Sequence, residues 1–161
     1  MAVYSEPGIG TTFKVYLPTM EEPVAEPRRI HDENGGRGTE TILIVEDDDR
    51  VRELAVFALQ SRGYTVLAAG NGLEATRVLR LHPGTVQMLV TDVVMPGMGG
   101  PELAESLRLI FPEMKVVYSS GYTDHAVIRH GLLEDKVAFL QKPYTPQTLA
   151  GKVRQVLDSW P

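Results

Sequence analysis

The stretch QMLVTDVVMPGMGG, residues 87–100, decides how this chain is read. An apolar run meets a single carboxylate, Asp92, and then turn residues follow: Pro96 and the glycines at 97, 99 and 100. A short aliphatic, β-branched run bounded by turn residues reads as a strand buried on both faces, so residues 86–91 (VQMLVT) are predicted as a strand. The next segment, GGPELAESLRLIF (99–111), has helical apolar spacing with Pro101 near its first turn. The unit is therefore strand, acid-bearing turn, helix. An ionised carboxylate beside a hydrophobic core is costly unless something compensates it, so Asp92 requires a partner or a task.

The same unit repeats on either side. TILIVE (41–46) is a β-branched strand, and DDDRVRELAVFALQSRG (47–63) carries a helical stripe of Val51, Leu54, Ala55, Ala58 and Leu59, closed by Gly63 as C-cap. Either Asp48 or Asp49 caps that helix. YTVLAA (64–69) is a second strand, and Asn71 with Glu74 starts a helix running to Leu81. KVVYSS (115–120) and VAFLQ (137–141) are further strands, separated by a short helix near 123–131 that ends at Gly131. The last helix spans 145–160, with Thr145 as N-cap and Pro146 at N1. Five strand–helix repeats imply a parallel α/β sheet, doubly wound, with helices on both faces and right-handed crossovers. Of the common orders, 2-1-3-4-5 suits five strands. It places ligands at the carboxyl ends of the strands, beside the switch point between the first and third.

Before residue 41 the character changes. Residues 20–40 are rich in Glu, Pro, Gly and Arg and poor in large apolar residues, so they read as a flexible linker. His31 in it reads as a solvated linker histidine. Three segments result: 1–19, the linker 20–40, and a domain over 41–161. The chain has 161 residues, 43% of them hydrophobic, enough for one core of this size. A net charge of −5 argues against a nucleic-acid surface. The absence of cysteine excludes thiolate metal sites, disulfides and thiol catalysis, and is compatible with a cytoplasmic location. No apolar run approaches the roughly 18 residues of a membrane helix, so no membrane contact is expected of this stretch.

The polar residues at the predicted strand ends form a set: Glu46-Asp47-Asp48, Asp92, Ser119-Ser120-Gly121 and Lys142-Pro143. Carboxylates gathered in one crevice raise each other's pKa, and a hard divalent cation relieves this through oxygen ligands. Mg²⁺ takes one or two carboxylates and completes its shell with water and phosphate oxygens, which suits phosphoryl transfer. Lys142 adds a point positive charge for a phosphoryl oxygen or for Asp92, Ser120 adds a hydroxyl donor, and Asp92 is the candidate nucleophile for an acyl phosphate.

The motifs ILIVEDD, VTDVVMPGMGGPEL, YSSGYTD and FLQKPY resemble, in order, those of the receiver domain of bacterial response regulators, over about residues 40–160. The resemblance implies a (βα)5 flavodoxin-like fold with Asp92 as phosphoacceptor. It further implies Glu46 and Asp47 as the acidic pair for Mg²⁺, with Asp92 and the backbone carbonyl of Val94 as further ligands. Ser120, the residue before Gly121, would be the switch hydroxyl, Lys142 the conserved-type lysine before an often cis Pro143, and Phe139 the switch aromatic. Val94 and Tyr122 fall where the family tunes the lifetime of the phosphorylated state, and an apolar Val94 implies slow self-dephosphorylation. SEPGIGTTFKVYLP (5–18) resembles the last glycine box and closing strands of a histidine-kinase ATP-binding domain. Together the two resemblances suggest a piece of a hybrid sensor kinase, a class whose parent chains can be membrane-anchored.

The resemblance implies a histidine kinase or histidine phosphotransfer protein as partner, and pairing of copies through the fourth and fifth helices. It implies a signalling switch with weak self-catalysis rather than an enzyme in the usual sense. With the last predicted helix close to Pro161, the output is expected from a partner, another part of a longer chain, or phosphate relay. Three other classes compete less well. A haloacid-dehalogenase-type phosphohydrolase carries Asp-x-Asp, and here the second position is Val94. A flavin or nucleotide module wants a phosphate-cradling loop after the first strand, where Glu46-Asp47-Asp48 would repel phosphate. A degenerate receiver would lack the complete acidic set. The histidines at 82, 125 and 130 read as surface or helix-face residues, Tyr122 and Tyr144 as packing aromatics, and Trp160 as a cover for apolar surface.

Overall fold

The structure, a computed structural model, describes residues 2–8, 10–16, 36–121 and 138–159. The predicted helix near 123–131, His31, Tyr122, His125, His130, Trp160 and most of the predicted linker lie outside the described residues.

The chain divides into two units, residues 1–30 and 31–161. In the first, β1 (Ala2–Glu6) and β2 (Gly10–Lys14) pair antiparallel, Ala2 opposite Lys14 and Glu6 opposite Gly10. Gly8 and Gly10 both take positive φ at the turn, a conformation glycine adopts without a Cβ penalty. Ser5 and Thr11 share a hydroxyl hydrogen bond of 2.8 Å, and the Lys14 ammonium lies 5.2 Å from the centre of the Tyr4 ring.

The second unit contains β3 (Thr41–Val45), α1 (Asp49–Gln60), β4 (Thr65–Ala69), α2 (Gly72–Leu81), β5 (Met88–Asp92), α3 (Gly100–Arg108), β6 (Lys115–Ser120), β7 (Ala138–Gln141) and α4 (Pro146–Asp158). Its sheet runs β4-β3-β5-β6-β7, all neighbours parallel, which is the expected order 2-1-3-4-5 counted from β3. Strand alternation divides the core in two. Leu43, Val45, Leu89, Val116 and Tyr118 pack with Leu79, Leu103 and Leu107 of α2 and α3. Ile42, Ile44, Met88, Val90 and Val117 pack with Leu59, Leu149 and Val153 of α1 and α4. Both faces are buried, which is why these strands read as continuous apolar runs rather than alternating ones.

Several boundaries differ from the sequence reading. The third strand of the domain is Met88–Asp92 rather than 86–91, so Asp92 is its last residue and pairs with Ser119. Of the two caps the sequence allowed, Asp48 is the one used at α1, accepting from the amides of Arg50 (2.9 Å) and Val51 (3.1 Å). Ser61 is the C-cap of α1, and Gly63, at φ +98°, makes the reversal two residues later. Asn71 caps α2 as expected, but the Glu74 carboxylate bonds the Gly70 amide rather than that of Asn71. The regular part of α3 ends at Arg108, three residues short of the expected Phe111. Thr145 caps α4 in a reciprocal box with Thr148.

Residues 36–40, counted with the linker from composition, pack on this unit. A Cβ on Gly36 would lie 2.9 Å from the Ala150 backbone, the Gly38 amide donates to the Arg62 carbonyl (3.2 Å), and Glu40 pairs with Arg154 (2.9 Å).

Candidate functional site at the carboxyl edge of the sheet

Backbone topology alone gathers the site. β3 ends beside Glu46, β5 in Asp92, β6 in Ser120, and Lys142 follows β7. Glu46, Asp47 and Asp92 each offer a carboxylate oxygen within 4.8 Å of the others. The Lys142 ammonium reaches two of them, 2.5 Å from Asp92 Oδ2 and 2.7 Å from Glu46 Oε2. Glu46 (3% exposed) and Asp92 (8%) are both buried, while Asp47 is exposed at the mouth. The Lys142–Pro143 bond is cis, and the Lys142 amide donates to the Ser120 carbonyl at 2.8 Å.

The electrostatics follow from burial. Desolvation pushes the Glu46 carboxyl above its usual value, and the Asp92 charge adds to that; Lys142 offsets part of it. Burial alone would lower the Lys142 ammonium, but its bonds to Asp92 and Glu46 outweigh this and hold it raised, hence charged. Tyr144 is pushed up to about 12, first by burial and then by Glu46. One ammonium faces three carboxylates, so the pocket retains an uncompensated negative charge. Hard oxygen donors with that excess fit a divalent cation such as Mg²⁺ and do not fit a soft metal.

The two serines are distinguished by their bonding. The Ser119 hydroxyl donates to the Thr91 carbonyl (3.4 Å), whereas the Ser120 hydroxyl, fully buried, has no hydrogen-bond partner among the described residues. A buried hydroxyl without a partner is a cost that a ligand oxygen would remove. Phe139 is half-buried, with its ring 5.9 Å from that of Tyr118. Val94 is 57% exposed, and its amide reaches Asp92 Oδ1 at 3.4 Å. His82 is the C-cap of α2 and no part of this group.

Three features escaped the sequence reading. The Val94 amide, rather than only its carbonyl, faces Asp92. Gly100 is required by contact: a Cβ there would fall 2.1 Å from the Asp92 carbonyl oxygen and 2.9 Å from Thr91 Cγ2. Arg52 turns back from α1 to the Glu46 carbonyl at 2.6 Å. The glycine pattern hinted at the second, and a cation one turn past an acidic run hinted at the third.

A doubly wound sheet whose carboxyl edge presents acids and a lysine, instead of a glycine-rich phosphate loop, departs from the dinucleotide-binding pattern and matches the receiver class. The chain belongs to the response regulator receiver domain family, whose model matches residues 42–154. It is 41% identical to the sensor kinase CckA of Brucella abortus (strain 2308) over 96% of its own length, and spans 17% of that kinase. It is 33% identical to the response regulator receiver protein CpdR of the same strain, over 72% of this chain and 95% of that one. Among solved structures it is similar to the receiver domain of the hybrid histidine kinase CckA, with 37% identity, a TM-score of 0.61, and coverage of 73% of this chain and 99% of that one. Receiver domains work in two-component signalling with histidine kinases or phosphotransfer proteins and bind Mg²⁺ at an acidic pocket.

Proposed function

We propose that Asp92 is the phosphoacceptor of this receiver and takes a phosphoryl group from a phosphohistidine of a kinase or phosphotransfer protein. The phosphorus–nitrogen bond to the imidazole breaks, an Asp92 oxygen–phosphorus bond forms, and the imidazole leaves. Glu46, Asp47 and Asp92, with the Val94 carbonyl, would hold Mg²⁺, which when bound neutralises charge on the transferring group. Lys142 remains charged and can shift one bond from Asp92 to a phosphoryl oxygen, and Ser120 supplies a buried hydroxyl that has no partner among the described residues. The chain's own contribution is positioning and electrostatics, with weak self-phosphorylation and self-dephosphorylation, rather than turnover.

The observation that carries this reading is the Lys142 ammonium bridging buried Glu46 and Asp92 beside a buried Ser120 hydroxyl that has no partner among the described residues. Movement of Ser120 and Lys142 toward the phosphoryl group frees space for Phe139, which packs against Tyr118, and the surface beside β6 and β7 changes. Coupling of this kind is typically about 1–3 kcal/mol. Exposed, apolar Val94 cannot orient a water by hydrogen bonding, so the phosphorylated protein is expected to keep its phosphate for minutes; loss within seconds would contradict this.

Identity to a sensor kinase across nearly the whole chain, together with the antiparallel hairpin at residues 2–14, supports reading residues 1–19 as the end of a kinase ATP-binding domain joined by a linker to the receiver. The parent is then a hybrid histidine kinase and the receiver is cytoplasmic. No helix among the described residues is long and apolar enough to cross a membrane. Copies are proposed to pair through the fourth and fifth helices of the receiver, the fifth being α4 here. The test is incubation with a small phosphodonor and Mg²⁺ followed by intact mass. Wild type gains one phosphoryl group and Asp92→Asn gains none; a wild type that stays unmodified defeats the proposal.

A further inference from the structure

The acidic loop after β3 is held at three points. The Glu46 amide donates to the Ala69 carbonyl at 3.1 Å. The Asp48 carboxylate is fixed on the amides of Arg50 and Val51. Between these, the Glu46 carbonyl accepts a 2.6 Å bond from Arg52 Nη1, and the same guanidinium donates through Nη2 to the Asp49 carboxylate. The third anchor lies in the peptide plane that joins Glu46 to Asp47.

Helix stability does not explain Arg52. A cation near a helix N-terminus opposes the helix dipole, and an exposed pair such as Arg52–Asp49 contributes little. What distinguishes this side chain is its partly buried bond to a backbone carbonyl. Space for it is left by Gly70, where a Cβ would lie 3.2 Å from Nη1. The planar guanidinium fork engages the carbonyl and the carboxylate together, which a lysine ammonium cannot reproduce.

We propose that Arg52 is a positioning residue for the divalent-cation site: its bond to the Glu46 carbonyl fixes the peptide joining Glu46 and Asp47 and so aims both carboxylates at the ion. This rests on the reading of Glu46, Asp47 and Asp92 as the cation site. The alternative, that Arg52 acts only through its charge, predicts the opposite sign. A guanidinium beside the pocket repels a divalent cation, so removing it would tighten binding by charge alone. Removing an anchor loosens binding.

Calorimetric titration of the full chain with Mg²⁺ separates the two. Arg52→Gln is expected to weaken Mg²⁺ binding about tenfold, the scale found for groups that orient metal ligands. Arg52→Lys, which keeps the charge, is expected to weaken it several-fold. Phosphorylation by a small phosphodonor should return to within about twofold of wild type once Mg²⁺ saturates, because Arg52 touches the loop and not the phosphoryl group. Unchanged or tighter Mg²⁺ binding in Arg52→Gln overturns the proposal, as does a rate that stays low at saturating Mg²⁺. If Arg52→Gln does not fold, wild-type affinity in Arg52→Lys overturns it equally. A wild type that binds no Mg²⁺ defeats the cation site itself, and so is distinguishable from variants that leave its affinity unmoved.

Discussion

The two ends of the five-stranded sheet are built from similar residue types and do opposite work. At the carboxyl edge, Lys142 bridges Glu46 and Asp92, three carboxylates crowd together, and the Ser120 hydroxyl has no partner among the described residues. At the amino edge the charged groups are held by ion pairs and backbone carbonyls, although the Tyr64 hydroxyl there is also buried without a hydrogen-bond partner among the described residues. Arg154 reaches the Glu40 carboxylate (2.9 Å), the Arg37 carbonyl (3.4 Å) and Asp158 (2.7 Å). Lys115 donates to the carbonyls of Val156 and Leu157 at the end of α4, and the Gln87 side chain accepts from the Thr41 amide. Acids and cations occur at both ends; the difference is whether the charges balance. On the proposed reading the end with excess negative charge takes a ligand, while the amino end ties α4 to the strand starts.

Substitutions at the two edges should therefore separate function from stability. The largest effect is expected where the two coincide. Gly100→Ala forces a Cβ onto the Asp92 carbonyl and should cost about 3 kcal/mol in chemical denaturation, with phosphoryl uptake lost as Asp92 shifts. Lys142→Met leaves buried Glu46 and Asp92 facing each other without a cation. It should cost about 2–3 kcal/mol in divalent-free buffer, and millimolar Mg²⁺ should restore much of the loss, an effect readable as a melting shift.

At the amino edge, Arg154→Gln should cost about 1–2 kcal/mol and leave phosphoryl uptake unchanged. Its pH dependence has a defined sign. Burial tends to raise the Glu40 carboxyl, but backbone hydrogen bonds and Arg154 outweigh this and hold it below its usual value. Stability from a depressed carboxyl is complete above its unfolded value, about 4.3, and is lost as pH falls through the folded one. The gap between wild type and Arg154→Gln should therefore be full at neutral pH and close below about pH 4; a gap that widens in acid would break the contrast. The smallest effect sharpens it. Thr145→Ala lies near the carboxyl edge but outside the pocket, and should cost about 1 kcal/mol through its lost cap, with phosphoryl uptake unaffected.

The legibility of the sequence follows the same division. Strands buried on both faces leave continuous apolar runs, so β3 and β6 could be anticipated; the sheet order was taken only as the common one that suits five strands, and the strand ends announced Glu46, Asp92, Ser120 and Lys142. Local chemistry between near neighbours was readable where it had one solution, as at Thr145 and Pro146. It was ambiguous where residues were alike: Asp48 and Asp49 offer the same cap, and only backbone geometry selects Asp48. Ser119 and Ser120 differ only in what each meets across the sheet. The Glu40–Arg154 pair joins residues 114 apart, so no window along the chain could show it. Gly100 and Arg52 meet backbone carbonyls, so the sequence only hints at them, through a glycine pattern and a cation one turn past the acidic run.

The most direct test of the central claim is chemical trapping of the phosphorylated residue. The receiver is treated with a small phosphodonor and Mg²⁺, reduced with borohydride, which converts an aspartyl phosphate to homoserine, and sequenced by peptide mass spectrometry. Homoserine at position 92 and nowhere else is the expected result. Homoserine at another carboxylate, or phosphate stable to reduction on Ser120 or any other hydroxyl, would contradict it.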